Sequence, residues 1–249
     1  MDNPVIRTLL NHRSIRKFTD QKLSEDQIEL LVKCAQAAST SSYTQSFSII
    51  GIDDPSLKKE LRSISGDQSY VEENGGFFVF VADQYRNKQI GERSGIDIRV
   101  LDTTQRLTVA LGDAAFAAQN MAVAAESMGL GICYIGSIQR DIERTAALLK
   151  LPDYTFPLFG LAVGYPDQEP EKKPRLPLKN IYHRNTYAAQ LDDAALERYD
   201  RQVADYYHSR TGGRREEKWT EQIANGLSTP PRLALKPFLE SSILAGVKA

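Results

Sequence analysis

Two hydrophobic rhythms share this chain. In "LSEDQIELLVKCAQAAS", Ile28, Leu31, Val32 and Ala35 recur at i, i+3, i+4 and i+7, which predicts one apolar helical face. Ser24, with Gln27 three residues on, supplies a capping box at its start. "STSSYTQ" reads as a polar loop and "SFSIIGI" as a strand. "PSLKKELRSIS" is a short helix with Pro55 in its first turn, and "GFFVFVAD" is a buried strand. The longest helical signal runs from Asp97 to Met128 and turns almost wholly small or apolar in its second half. A helix apolar all round is buried, so it reads as a central core helix, with a subunit interface as a further place for its small residues. "GICYIGSI" and "FPLFGLAVGYP" are two more strands, separated by the helix "DIERTAALLK". After Pro177 come a polar segment, a helix around "DDAALERYDRQVADYYHSR", the loop "TGGRREE" and a weakly amphipathic tail. A few strands among many helices indicate an α+β fold rather than regular βαβ alternation.

At 249 residues the chain suffices for one large domain or two small ones. Lys and Arg number 31 against 32 Asp and Glu, a formal charge of -1, so no global field attracts nucleic acid or anionic lipid. Any anion site is therefore local. Cys34 and Cys133 form no CxxC pattern, and His12, His183 and His208 do not pair at ligand spacing, so no metal site is expected. The cysteine usage suits a reducing cytoplasm. The start "MDNPVIRTLL" does not read as a signal peptide, and no window approaches 18 consecutive apolar residues. The expectation is a soluble cytoplasmic protein without membrane or nucleic-acid partners.

"GLGICYIG" is the nearest approach to a dinucleotide fingerprint, but its third glycine is misplaced and it follows a helix and precedes a strand. No Walker A loop, G-x-S-x-G elbow or HExxH is present. Anion chemistry is concentrated in three places: Arg13, Ser14 and Arg16 in "NHRSIRKF"; Lys173 and Arg175 in "KKPRLP", held extended by Pro174 and Pro177 and so projecting to one side; and Arg210, Arg214 and Arg215 in "RTGGRR". Taken alone, a cluster like the first is more often a solvated basic face, and one like the second more often a polar loop. Arginine gives bidentate contacts to phosphate, and a charged hydrogen bond contributes roughly 1.5–3 kcal/mol. From the residues alone, the reading reaches a phosphorylated small-molecule ligand and stops.

In order, "NHRSIRKFTDQKLSEDQIELLVKCAQAASTSSYTQ", "GDQSYV", "AAQNMAVAAESMGLGICYIGSI", "PLFGLAVGYP" and "KKPRLP" resemble an FMN-dependent nitroreductase, of the NADPH-dependent flavin reductase and oxygen-insensitive nitroreductase branch. The resemblance covers essentially the whole chain, including "YYHSRTGGRREEKW". It implies a single domain over residues 1–249 with a mixed central sheet flanked by helices, and a homodimer with active sites at the subunit interface. Residues 178–249 would be a C-terminal extension wrapping the partner and carrying a mobile NADPH-binding loop. His12, Arg13, Ser14 and Arg16 match the first flavin-binding block, with Arg13 toward the phosphate and Arg16 near the ring, whose reduced form a cation tunes. Lys173 and Arg175 match the second phosphate-binding block. Thr40 and Ser42 match a serine-rich loop contributed by the partner, and Gln68 matches a polar ligand of the ring. Tyr134, Ile135, Gly136 and Ser137 match the strand end whose backbone passes the ring. Relatives commonly have a second glycine at the position of Ser137 and serine at that of Thr40. Arg210 matches the segment that grips the NADPH 2′-phosphate; Arg214 and Arg215 stand one residue closer to it than in some relatives, which leaves open which of them meets the phosphate.

The implied reaction is ping-pong, with bound FMN, NADPH as co-substrate, and nitroaromatics, quinones or free flavins as small-molecule acceptors. No side chain need act as nucleophile. Two neighbouring readings are an NADH-preferring or disulfide-reducing member of the same fold, separated by the groups at 210 to 215, and a non-enzymatic flavin-binding protein, which would hold FMN without reacting with NADPH.

Overall fold

A computed structural model describes residues 2–230 and 232–244. The chain forms two compact units: one holds everything up to Gln168 together with the segment from Arg232 onward, the other Glu169–Pro231.

The first unit is built on a sheet of four strands, β1 (Phe47–Ile52), β2 (Gly76–Asp83), β3 (Gly131–Ile135) and β4 (Thr155–Gly164), in the order β1-β2-β4-β3. The three pairings are antiparallel, and the parallel element is an isolated bridge from Ser14 to Ile132 on β3. β2 is buried along its whole length, as its unbroken apolar run predicts. Because side chains alternate along a strand, Phe78 and Phe80 enter one core and Phe77, Val79 and Val81 the other.

Helix α1 (Pro4–Leu10) precedes α2 (Glu25–Gln36), and α3 (Pro55–Ile64) and α4 (Tyr85–Arg93) flank β2 in sequence. Helix α5 (Thr104–Ser127) follows, then α6 (Ile142–Leu148) between β3 and β4. The Ser24 capping box of α2 forms in both directions, Gln27 N to Ser24 Oγ at 3.2 Å and Ser24 N to Gln27 Oε1 at 3.0 Å. Helix α5 lays Ala114, Ala117, Ala118, Met121, Ala122 and Ala125 into the same core as Phe78, Phe80 and Leu161. Removing a buried chain of that kind, as in Met121→Ala, costs about 2–5 kcal/mol.

Two expectations for this helix are corrected. It begins at Thr104, not Asp97: the chain first makes a 3₁₀ turn over Arg99–Asp102, and extended Thr103 then caps α5 by accepting from Arg106 N. Nor is it buried all round within one chain; Phe116 is 58% exposed. The helix is long enough, and one 18-residue window of it apolar enough at a mean hydropathy of 1.2, to cross a membrane by length and composition. Here one stripe packs on the sheet, and that stripe includes buried Asp113.

The second unit holds α7 (Asp193–Thr211) and α8 (Trp219–Leu227), packed around Tyr199, Val203, Tyr206 and Tyr207 with Leu176 and Trp219. Helix α7 ends on Gly212 at φ 60°, a left-handed cap that favours glycine. Helix α9 (Leu235–Ser242) belongs to the first unit, where Phe238 meets Phe156 and Ile142. The last five residues of the expected C-terminal extension lie outside the described residues.

Candidate functional site

The opening octet is pinned to the edge of the sheet. Ile15 N donates to Ile132 O at 2.9 Å and Thr19 N to Tyr165 O at 2.9 Å, while Ile15 and Phe18 are buried. Ser14, Arg16 and Lys17 are thereby left on the accessible side. Two of the octet's basic groups meet carboxylates of the chain itself: His12 Nδ1 lies 2.6 Å from Glu126 Oε1, and Lys17 Nζ 2.5 Å from Asp167. Arg13 leans on Asn11, its Nη2 donating to Asn11 Oδ1 at 2.9 Å. Arg16 stands beside the Tyr70 hydroxyl and near Cys133.

Tyr70 belongs to the turn that follows α3. Gly66 (φ 78°) and Asp67 (φ 55°) reverse the chain, and a side chain at 66 would collide with the Arg140 guanidinium. Gln68 then donates from Nε2 to Ser137 Oγ at 3.2 Å and accepts from the Tyr70 hydroxyl at 2.5 Å. Burial pushes the Tyr70 phenol up, Cys133 adds to this, and Arg16 opposes it. Tyr70 is therefore held as a proton donor, which fixes Gln68 with its amide nitrogen toward Ser137. Arg16, Gln68 and Ser137, expected from three separate blocks of sequence, thus come together, and Tyr70 joins them although its position in "GDQSYV" was given no role.

At the end of β3 the side chains divide. Ile135 is buried with Cys133 in one core, whereas Tyr134 turns to the other face, edge-on to Phe159 at 5.0 Å and donating to Gln119 Oε1 at 3.3 Å. Burial, with Glu126 nearby, pushes the Tyr134 phenol strongly up, so it stays protonated. Tyr134 and Ile135 are left to offer only backbone toward a ligand. Gly136 follows, and a Cβ built there meets nothing within 4 Å, so open space lies before it. Its carbonyl accepts from Arg232 Nη1 at 3.1 Å.

Thr40 and Ser42 sit in the loop between α2 and β1. Thr40 Oγ1 accepts from Gln45 N at 3.3 Å. Ser42, Tyr43 and Gln45 have φ of 50°, 59° and 48°, and Tyr43 is 83% exposed. The loop is tied to Asp113 of α5, whose Oδ1 accepts from Ser41 N and Oδ2 from Ser46 N, each at 3.0 Å. Asp113 was given no role from the sequence; a lone carboxylate inside "VALGDAAF" hints at it without saying what it meets.

In the second unit, Lys173 and Arg175 line a cavity of about 490 Å³ with Leu176, Ile181, Tyr199 and Trp219. Lys173 Nζ donates to the Tyr207 hydroxyl at 2.8 Å. The Arg175 side chain reaches the Lys173 carbonyl at 3.3 Å. Arg210 donates to the Tyr206 hydroxyl at 3.4 Å. Arg215 is paired with Glu217 and stacks 3.9 Å above the Tyr207 ring. Arg214 is exposed and donates from Nε to Thr211 O at 2.9 Å.

Comparison with known proteins shows what the chain is similar to. The Nitroreductase family model matches residues 9–165, and that of the Nitroreductase family C-terminal domain matches 173–244. A Bacillus subtilis protein named FMN reductase (NADPH) is 52% identical over 241 residues, covering 96% of this chain and 97% of its own. The solved NfrA1 nitroreductase of B. subtilis superposes with a TM-score of 0.92 at 52% identity, covering 96% of this chain and 98% of that one. An NADPH:FMN oxidoreductase from Vibrio harveyi, solved in complex with NAD+, gives a TM-score of 0.88 at 35% identity over 96% of this chain and 98% of that one. The chain belongs to the nitroreductase family.

Proposed function

We propose that this protein is an NADPH-dependent FMN oxidoreductase that reduces nitroaromatics, quinones or free flavins by two-electron transfer. The observation that carries the reading is the open space before Gly136 at the end of β3, where the next residue, Ser137, is bonded to Gln68, and Gln68 to Tyr70, beside which Arg16 stands. A planar, polar-edged ring fits such a place: glycine admits close backbone approach, and the surrounding groups supply donors and one cation. The named activities of the Bacillus and Vibrio relatives support the same cofactor and donor.

FMN, when bound, supplies redox chemistry that no side chain of this chain provides. The chain's own residues bind and orient. Arg16 sets the charge at the ring edge. Gln68, fixed by Tyr70, presents its amide. Arg13, Lys173 and Arg175 meet the phosphate, and Ser14 and His12 complete the first block. Arg210 with Arg214 takes the 2′-phosphate of NADPH, since Arg215 is held by Glu217 and Tyr207.

Two copies associate in this reading, with Thr40 and Ser42 reaching the partner's flavin and residues 178–249 wrapping the partner. The exposed apolar side chains of α1 (Val5, Leu9 and Leu10) and Phe116 of α5 support a covering surface of that kind. Light scattering should then give about twice the chain mass of 27.8 kDa, and a monomer that retains FMN contradicts the interface site. The direct test of the phosphate ligands is Arg13→Ala combined with Arg175→Ala. Colourless apo-protein on purification is expected; full yellow occupancy removes their assignment.

A further inference from the structure

Three non-glycine residues within four positions, Ser42, Tyr43 and Gln45, adopt left-handed backbone, a conformation that few such residues take without surrounding constraint. Something must hold them there: Gln45 N donates to Thr40 Oγ1 at 3.3 Å and Gln45 O accepts from Arg86 Nη1 at 3.1 Å, while one buried carboxylate takes both ends of the segment. Asp113 is 1% exposed on the packed stripe of α5. One of its oxygens takes the amide of Ser41 at the loop's entrance and the other the amide of Ser46 at its exit. Thr44 Oγ1 lies 3.5 Å from the second oxygen and donates to Ser41 O at 2.8 Å. Ser46 Oγ donates to Thr44 Oγ1, and Asn87 Nδ2 donates to Ser46 Oγ. An ionised carboxylate accepts without donating, so it can close both ends at once with charge-assisted bonds.

We propose that Asp113 is a positioning residue for flavin binding: it clamps both ends of the 41–46 loop so that Thr40 and Ser42 keep the shape in which they meet FMN. This rests on the proposed function. Asparagine at 113 preserves volume but turns one acceptor into a donor, which faces a backbone N–H and releases one end of the loop.

The test is hydrogen exchange of the Asp113→Asn protein together with FMN titration of its apo form. The amides of Ser41 and Ser46 should exchange at least ~10-fold faster while those of α5 are unchanged, and the FMN dissociation constant should rise by about 10-fold or more. Adding Tyr43→Gly and Gln45→Gly should recover part of that affinity, because glycine takes positive φ unaided. Exchange that rises throughout the protein, or an unchanged FMN constant in the variant, overturns the clamp. If Asp113→Asn does not fold, exchange in the wild-type apo-protein decides: slow exchange at Ser41 and Ser46 supports the clamp, and fast exchange overturns it. Wild-type protein that takes up no FMN would instead overturn the functional reading, and with it the clamp's purpose.

Discussion

Ile15 occupies the space in which a side chain at position 131 would have to stand. A Cβ on residue 131 falls 2.5 Å from Ile15 Cγ1 and 2.7 Å from its Cβ. Gly131 is therefore what lets the basic octet lie against β3, where Ile15 N bonds Ile132 O. Gly131→Ala should cost about 1–3 kcal/mol as an overpacked contact and should also weaken FMN retention, since Ser14 and Arg16 move with Ile15. Urea unfolding alongside flavin titration checks both; a stable variant with normal affinity removes the link between them.

The 2′-phosphate assignment separates neighbouring arginines. Arg214→Ala should raise the NADPH KM by about 10-fold or more, the scale of one or two charged hydrogen bonds, with NADH unaffected. Arg215→Ala removes a pair with Glu217 and a stack on Tyr207 and should disturb the loop's order, changing both donors. Steady-state kinetics with the two nucleotides distinguish these outcomes. Equal effects of Arg214→Ala on NADPH and NADH would remove its role.

How much of this was legible in the sequence differs by element. The α2 cap, the buried run of β2 and the Gly-ended α7 follow from local signals and stand in the structure. Helix α1 was missed although Asn3 and Pro4 are a cap and first-turn pair, with Asn3 Oδ1 accepting from Ile6 N at 2.9 Å; none of its residues is buried, so no core face announced it. In the site, Arg16, Gln68 and Ser137 were readable as motif residues. Tyr70 and Asp113 were not, because their roles come from a 2.5 Å bond to Gln68 and from the two ends of a loop some 70 residues away. Of the octet's four basic groups, His12 and Lys17 are met by Glu126 and Asp167, carboxylates distant in sequence that no local pattern pairs with them.

Lys58 gives a pH dependence unrelated to the redox chemistry. It is 6% exposed and donates to Asn74 Oδ1 at 3.3 Å. Burial lowers its pKa from 10.5, Lys22 lowers it further and Asp53 opposes. A lysine whose folded-state pKa is lowered binds its proton more readily in the unfolded chain. Stability should therefore rise with pH between the lowered value and 10.5. Chemical denaturation across the alkaline range should show that rise in the wild type and a flatter curve in Lys58→Met; identical slopes would exclude Lys58 as its source.

The central claim is that this protein binds FMN and that NADPH reduces it. The most direct measurement is the visible absorbance of purified, FMN-reconstituted protein, followed anaerobically as NADPH and then, in a separate sample, NADH are added. The account predicts a protein-bound flavin band that bleaches far faster with NADPH than with NADH. A protein that retains no flavin, or one whose bound flavin stays oxidised with both nucleotides, would contradict it.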